Sequence, residues 1–187
     1  YAGNTDEGVF NFYSLIISKI PKIKIILYNF ELLSGYKFSV EAVTKLVKAF
    51  PNNIIGCKDS TSNLYENLKL PNFLIFPGTE KKLLKGLELG NSGIISAICN
   101  VTASLARKVF DDFENKKEQK HNDKLIAVRD VFDGYNLISA LHSYMSVKDD
   151  NFKNLLPPLT LLNSTEKKEL ISKLDNLKFV IKNNLAA

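Results

Sequence analysis

The feature that most limits the possible folds is an alternation, over the first 115 residues, of short apolar runs with segments of helical period. Residues 7–20 carry apolar side chains three or four positions apart, which predicts an amphipathic helix. A β-branched run at residues 23–28 follows, and Ser39 is then placed to cap a second helix. Continuous apolar strands between helices predict a parallel sheet that helices cover on its faces.

The same alternation continues to residue 115, and a helical segment follows it. The predicted strands occupy residues 23–28, 54–59, 73–76 and 93–98. The helices predicted around them occupy residues 7–20, 39–50, 64–68, 81–89 and 102–115. In the tail, helices are predicted at residues 119–133, 135–146 and 165–185. Gly90 stands just past the fourth helix, where a left-handed backbone favours glycine. Right-handed crossovers leave a closed (β/α)8 barrel or an open doubly wound sheet. Four strands are too few to close a barrel, which typically needs ~250 residues.

The composition is that of an ordinary globular protein. Hydrophobic residues make up 45% of the 187 residues and charged residues 24%, and no run approaches the ~18 consecutive apolar residues of a membrane span. The net charge of +5 comes from lysines that are mixed with acidic residues along the predicted helices, as on a solvated surface. We therefore expect a cytoplasmic protein with no nucleic-acid and no membrane partner.

The cysteines and histidines predict no metal site. Cys57 and Cys99 each lie within an apolar run, which favours buried packing thiols in a reducing compartment over a disulfide or a zinc site. His121 and His142 lie in the helical tail with no third ligand at metal spacing. We expect neither a metal nor another cofactor.

Lys58 stands at the carboxyl end of an otherwise apolar predicted strand. Because side chains alternate along a strand, Ile54, Gly56 and Lys58 are expected to share one face. Burial of a lysine disfavours its charged form, and the neutral amine is the form that attacks a carbonyl. From this strand alone, two interpretations stay open: a nucleophilic lysine, or a lysine that extends its ammonium group into solvent.

Tyr28 occupies the equivalent position on the preceding strand, thirty residues earlier. Adjacent parallel strands lie ~4.8 Å apart, so Tyr28 and Lys58 are expected to project side by side into one pocket. A phenol beside a reacting lysine is suited to proton transfer. The alternative for an isolated tyrosine is packing at a strand end with its hydroxyl in water, and the pair is more specific than either residue.

Several motifs in order resemble the dihydrodipicolinate synthase/N-acetylneuraminate lyase family of class I, pyruvate-dependent aldolases. Tyr28 with Asn29 resembles the Y-N motif, and residues 56–61 (Gly-Cys-Lys-Asp-Ser-Thr) resemble the G-x-K-[DE]-[ST]-[ST] motif. Further matches keep the family's order at Tyr1 with residues 5–8, at residues 78–80, at residues 90–96 with Asn100, and at residues 157–159. The resemblance covers essentially the whole chain.

The resemblance implies a fold and its division. Residues 1–115 would be the second half of a (β/α)8 TIM barrel, with strands five to eight and their helices, and residues 116–187 would be an all-helical C-terminal extension. The family's first four strands, with their Gly-Thr-Thr-Gly-Glu segment, have no counterpart in this sequence. We expect a complete parent protein, and a half-barrel alone is expected to dimerise, aggregate or be inactive because it leaves strand edges and apolar faces uncovered.

The resemblance also implies site residues. Lys58 would form a Schiff base with pyruvate or another 2-oxo acid, and Tyr28 would transfer protons to and from the substrate. Ile95 would bring its backbone carbonyl near the lysine, and Ser96 would line the pocket. Tyr1 matches a family tyrosine that reaches across a subunit interface, which implies a homodimer or homotetramer.

One departure from the family pattern concerns the second substrate. Leu33 stands where synthases that act on aspartate semialdehyde have an arginine that binds the aldehyde's carboxylate, and Glu31 replaces a proline. Leucine has no hydrogen-bond donor for a carboxylate. This favours a lyase that acts on a 2-keto-3-deoxy sugar acid and cleaves it to, or forms it from, pyruvate and an aldehyde. Dihydrodipicolinate synthase itself is the alternative, and a non-catalytic family member that serves binding or assembly is another.

Overall fold

The computed structural model describes residues 3–180, which form two compact units on either side of the bond between Ile95 and Ser96. The first unit is α/β and the second is helical. The helix Cys99–Glu114 belongs to the second unit because it packs on the helices that follow it. The predicted boundary between residues 115 and 116 rests on the family resemblance and stays a prediction.

The first unit is built on a three-stranded parallel sheet in the order β1-β2-β3. Its elements are α1 (Asp6–Lys19), β1 (Ile25–Asn29), α2 (Glu31–Ser34), α3 (Val40–Ala49), β2 (Ile54–Asp59), β3 (Leu74–Pro77), a 3-10 turn (Glu80–Lys82) and α4 (Leu83–Glu88). The predicted cap is present, since the Ser39 side chain accepts the backbone N–H of Ala42 at 2.9 Å. Gly90 follows α4 with φ +83°, the left-handed backbone predicted for it.

The helices α1 and α3 cover one face of this sheet. Leu27 of β1 and Cys57 of β2 are fully buried on that face, and they belong to the same core cluster as Ile17 of α1 and Leu46 of α3. The opposite face is more open, with Tyr28 45% exposed. The sheet therefore has a packed side toward the helices and an accessible side that carries the residues at alternate positions.

Two predicted elements of this unit are wrong. Residues 64–68 form a single turn closed by the Leu68 N–H on the Leu64 carbonyl, and not a regular helix. Residues 93–98 are not a regular strand, although Ser92 and Ile95 donate hydrogen bonds to carbonyls of β3. From Ser92 to Ile95 this segment advances by one residue more than β3 does between the two carbonyls, and Gly93, with φ +132°, lies in that stretch. The extra residue breaks the regular pairing.

Over residues 96–180, the second unit contains four α-helices. They are α5 (Cys99–Glu114), α6 (Asn122–Asp133), α7 (Leu137–Met145) and α8 (Ser164–Asn176), with a 3-10 turn at Asp150–Lys153. Phe132 of α6 is fully buried, and its ring packs edge-on against Tyr144 of α7 at 5.8 Å between centroids. Asn163 and Glu166 form a capping box that fixes the start of α8.

The end of α8 differs from the prediction. The helix ends at Asn176, and the Phe179 N–H then bonds to the Leu174 carbonyl, so the predicted extension toward residue 185 is wrong over residues 177–180. Residues 181–185 lie outside the described part of the chain. Across residues 3–180, none of the helices has the length and apolar character that spanning a bilayer requires.

Candidate active site

Tyr28 and Lys58 are neighbours at the carboxyl ends of adjacent strands. They are direct partners in the parallel register of β1 and β2. The Lys58 Nζ lies over the Tyr28 ring, 4.1 Å from its centroid. Both side chains are on the accessible side of the sheet, because the residues that precede them, Leu27 and Cys57, are fully buried on the other side. The predicted juxtaposition of the two side chains is thus present, and their chemical roles stay predictions.

The glycine two residues before Lys58 allows the neighbouring strand to approach. A Cβ at Gly56 would lie 2.7 Å from the Leu74 carbonyl oxygen of β3, closer than a real Cβ packs. Ile54, which was expected to share the face of Lys58, is instead in the core cluster with Cys57. The register of the two strands shifts between Ile25 and Ile26, and this irregularity interrupts the simple alternation.

Behind the lysine and tyrosine, Asn29 and Asp59 form a buried polar pair. Both are 0% exposed, and they are register partners on the face opposite to Lys58. The Asn29 Nδ2 donates to Asp59 Oδ1 at 2.8 Å. The Asn29 Oδ1 accepts the Phe38 N–H at 3.1 Å, and the Asn29 Nδ2 also donates to Asn63 at 2.8 Å. Sequence reasoning gave this pair no role, although strand alternation places both polar residues on the packed face.

The Asp59 carboxylate also organises the loop that follows β2. Its Oδ1 accepts the Ser62 N–H at 2.9 Å, and its Oδ2 accepts the N–H groups of Leu64 at 2.8 Å and Tyr65 at 2.9 Å. With Asn29, this gives four donors to one carboxylate. Such a group satisfies buried backbone donors that a loop without regular structure leaves unpaired.

Backbone hydrogen bonds join the three strand ends into one rim. The N–H groups of Ser60 and Thr61 donate to the Asn29 carbonyl at 2.9 and 3.1 Å, and the Gly78 N–H donates to the Asp59 carbonyl at 3.0 Å. The close approach of Gly78 excludes a side chain there, since a Cβ would lie 2.3 Å from the Ser60 Oγ. These contacts hold together the strand ends that carry Tyr28 and Lys58.

The remaining predicted site residues are distributed more widely. Ile95 is 38% exposed, and its N–H donates to the Pro77 carbonyl at 3.2 Å, so β3 lies between it and β2. Ser96 begins the second unit, where its hydroxyl accepts the Ile98 N–H at 3.3 Å and Arg129 Nη1 at 3.2 Å. Tyr1 lies outside the described residues.

The segment after β1 carries the departure from the family pattern. Its short helix α2 is held at its start by the Glu31 N–H, which donates to Thr61 Oγ1 at 3.0 Å. Leu33 is 75% exposed and Leu32 is 88% exposed. Large apolar side chains in this position are free to contact a ligand or another chain segment, and neither offers a donor to a carboxylate.

The thiols of the chain are not reactive groups of the site. Cys57 is fully buried, and burial, with a smaller contribution from the Asp59 carboxylate, raises the pKa of its thiol to about 12. Cys99 is partly buried, and neither Cys57 nor Cys99 is in a disulfide. Within residues 3–180, no group of three or more His, Cys, Asp and Glu residues is arranged to hold a metal ion.

A parallel sheet with its polar residues at the carboxyl ends of the strands is typical of the β/α class, in which catalytic groups lie at this rim. The family model of the dihydrodipicolinate synthetase family matches residues 1–177, and the chain belongs to that family.

Relatives from the same family match over parts of their length. The chain is 36% identical over 105 residues to the 4-hydroxy-tetrahydrodipicolinate synthase of Hydrogenobaculum sp. (strain Y04AAS1), covering 54% of this chain and 36% of the relative. It is 28% identical over 183 residues to an uncharacterized DapA-like lyase of Thermococcus kodakarensis, covering 91% of this chain and 62% of the relative.

Solved structures confirm the predicted fold, which is part of a TIM barrel with a helical extension. The dihydrodipicolinate synthase of Cyanidioschyzon merolae with lysine bound superposes with a TM-score of 0.83 at 16% identity, covering 96% of this chain and 63% of that one. YagE, a prophage protein of the family from Escherichia coli K12 in complex with pyruvate, gives 0.79 at 20% identity, covering 96% and 64%. The chain thus spans less than two thirds of the length of each of these relatives.

Proposed function

We propose that the protein is a class I aldolase, a carbon–carbon lyase in which Lys58 forms a Schiff base with a 2-oxo acid such as pyruvate. The observation that supports this most directly is the contact of Lys58 Nζ with the Tyr28 ring, 4.1 Å from the centroid, at adjacent strand ends. A lysine in this setting is a nucleophile for a carbonyl carbon, and a phenol next to it is a donor and acceptor of protons.

The reaction follows from the chemistry of the two side chains. The neutral Lys58 amine adds to the keto carbon of the 2-oxo acid, and the resulting carbinolamine loses water to give an iminium. The C4 hydroxyl then loses its proton, the electron pair of the C3–C4 bond moves into the iminium, and the aldehyde leaves behind an enamine. Protonation of this enamine at C3 gives the pyruvate iminium, and water hydrolyses it to release pyruvate and the Lys58 amine. Tyr28 supplies and removes the protons in these steps.

The other predicted residues complete the site in this proposal. By the family resemblance, the Ile95 carbonyl would face the lysine, Ser96 would line the pocket, and Tyr1 would reach the site of a neighbouring subunit in a homodimer or homotetramer. Neither a metal nor another cofactor is needed, since the iminium itself serves as the electron sink.

The aldehyde portion is proposed to be polyhydroxylated, so the substrate is a 2-keto-3-deoxy sugar acid. Leu33 offers no donor to a substrate carboxylate, and Glu31 beside it is exposed and acidic. An exposed carboxylate repels an anionic aldehyde and accepts hydrogen bonds from sugar hydroxyls. A second candidate is dihydrodipicolinate synthase, because several matched relatives carry the name 4-hydroxy-tetrahydrodipicolinate synthase.

Reductive trapping tests the proposal. The intact protein, meaning the whole natural polypeptide that contains this sequence, is incubated with pyruvate and sodium borohydride, and the adduct is located by peptide mass spectrometry. We expect one pyruvate-derived adduct on Lys58, abolished by Lys58→Arg. Lys82 is the matched control, since its Nζ lies 4.6 Å from the centroid of the Tyr65 ring, and Lys82→Arg is expected to leave the adduct intact.

Absence of any adduct on Lys58 would contradict the proposal and favour a non-catalytic member of the family. Turnover assays then separate the substrates. Pyruvate with glyceraldehyde is expected to give product. If pyruvate reacts with aspartate semialdehyde but not with glyceraldehyde, the result would favour dihydrodipicolinate synthase.

A further inference from the structure

We propose that Asn29 and Asp59 are positioning residues that hold Tyr28 and Lys58 at their working separation. This inference rests on the proposed function of Lys58. Neither residue is on the accessible side of the sheet, so neither is expected to contact the substrate. Both act through the strand ends to which the two reacting side chains are attached.

The pair determines the register of β1 and β2 at the rim. Asn29 and Asp59 are direct register partners and immediately follow Tyr28 and Lys58, which are also partners. The hydrogen bond from Asn29 Nδ2 to Asp59 Oδ1 is completely buried. A relative slip of the strands would separate this pair and leave a buried carboxylate short of a donor, which is unfavourable. The same slip would move Lys58 off the Tyr28 ring.

The chemistry of Asp59 is specific to a carboxylate. Each of its two oxygens accepts two hydrogen bonds, with Asn29 and Ser62 on Oδ1 and with Leu64 and Tyr65 on Oδ2. Four donors require a group that only accepts, so an amide in its place would set its own N–H₂ against backbone donors. Asp59 thereby links the register of the strands to the path of the loop that leaves β2.

The opposite end of the same two strands provides a matched control. Asn53 precedes β2, is 9% exposed, and its Nδ2 donates to the carbonyls of Pro21 and Ile23 at 2.8 and 2.9 Å. Like Asn29, it is a buried asparagine whose amide ties two chain segments together. It lies at the amino end of the sheet, away from Lys58. A loss of general stability is therefore expected from either asparagine, but a loss of lysine reactivity only from Asn29.

The experiment compares Asn29→Ser with Asn53→Ser in the intact protein. The rate of pyruvate adduct formation on Lys58, trapped with cyanoborohydride, is measured from pH 6 to pH 9 and normalised to the folded fraction by circular dichroism. We expect the rate for Asn29→Ser to fall on the order of 10–100-fold with an altered pH profile. The rate for Asn53→Ser is expected to stay within about twofold of wild type.

A charge exchange gives a second test that does not depend on the folding of Asn29→Ser. Asn29→Asp places a second carboxylate against Asp59, and adding Asp59→Asn restores one donor between the two positions. The double variant is expected to recover part of the trapping rate that Asn29→Asp loses. Equal normalised rates for Asn29→Ser and wild type, or equal losses for Asn29→Ser and Asn53→Ser, would overturn the inference while leaving the proposed function intact. Failure of the wild-type protein to trap pyruvate would instead remove the proposed function, and the inference with it.

Discussion

The Lys58 Nζ lies over the face of the Tyr28 ring, so the aromatic ring and the phenol hydroxyl make separable contributions. A cation–π contact at a partly exposed position is worth about 0.5–1 kcal/mol. The ring therefore contributes modestly to holding the ammonium form of the lysine at the strand ends. Under the proposed function, the hydroxyl has the separate role of proton transfer.

Substitution Tyr28→Phe tests this separation. The variant keeps the ring and loses the hydroxyl, so we expect trapping of pyruvate on Lys58 to persist while kcat falls by about 10²–10⁴-fold. Tyr65→Phe is the control, because Tyr65 also carries a lysine over its ring and its hydroxyl bonds to Glu66. Steady-state kinetics and mass spectrometry on the intact protein provide the two readouts. An unchanged kcat in Tyr28→Phe would assign proton transfer to another group.

The second substrate is tested by Leu33→Arg. A guanidinium at this position would provide paired donors for a carboxylate, and charge-assisted hydrogen bonds contribute about 1.5–3 kcal/mol. We expect the ratio of kcat/KM for aspartate semialdehyde to that for glyceraldehyde to rise by roughly 10–150-fold. The side chain is 75% exposed, so folding is expected to be unaffected.

Leu32→Arg is the matched control for this change. It adds the same charge one residue earlier, at a position that is 88% exposed. Equal shifts in both variants would show that net charge, and not a specific contact at Leu33, produces the effect.

Gly78 is predicted to tolerate no side chain. Its added Cβ would lie 2.3 Å from Ser60 Oγ and 3.0 Å from Ser60 Cα. We expect Gly78→Ala to lower the free energy of unfolding by about 1–3 kcal/mol, measured by urea denaturation. Gly134→Ala is the control, since its nearest atom is 3.5 Å away. If steric overlap is the cause, Ser60→Ala combined with Gly78→Ala should recover part of the loss, and no recovery would point to the backbone contact.

The buried thiol of Cys57 predicts a decrease in stability at alkaline pH. Its pKa is about 12 in the folded protein, because burial disfavours the thiolate, and about 8.5 in an unfolded chain. Between these values the unfolded state has released the proton and the folded state retains it. The free energy of unfolding is therefore expected to fall as pH rises through this window, by up to about 1.4 kcal/mol per pH unit for this group.

Urea denaturation between pH 8.5 and pH 11 measures this slope. Cys57→Ala is expected to reduce the slope, apart from any change in overall stability from the lost packing, whereas Cys99→Ala is expected to preserve it. An identical slope in Cys57→Ala and wild type would mean that other groups, such as Tyr36 with its raised pKa, account for the alkaline loss.

Most of the helices and three of the strands could be predicted because apolar periodicity and capping residues determine them locally. Ser39 is an example, since its hydroxyl caps α3 as expected. The turn at residues 64–68 could not be predicted, because the Asp59 carboxylate takes the backbone N–H groups of Leu64 and Tyr65. That arrangement depends on a buried contact with Asn29 from another strand.

The candidate site, too, could be predicted from the sequence only in part. The proximity of Tyr28 and Lys58 follows from strand spacing and equivalent positions, so sequence reasoning was able to predict it. The irregular backbone at Gly93 depends on how residues 92–95 meet β3, which periodicity does not encode. Sequence reasoning gave no role to Asn29 and Asp59, because periodicity does not show the hydrogen bond that joins them on the packed face of the sheet.

The opposite orientation of neighbouring side chains at the ends of β1 and β2 has a consequence for evolutionary divergence. Asn29 and Asp59 point into the packed side, whereas Leu33 and Glu31 lie in an exposed segment that shares no side-chain hydrogen bond with them among the described contacts. Natural selection can therefore exchange the exposed residues without disturbing the hydrogen bond between Asn29 and Asp59. Under the proposed function, this construction lets a lineage acquire a new aldehyde substrate while it inherits the lysine and tyrosine unchanged.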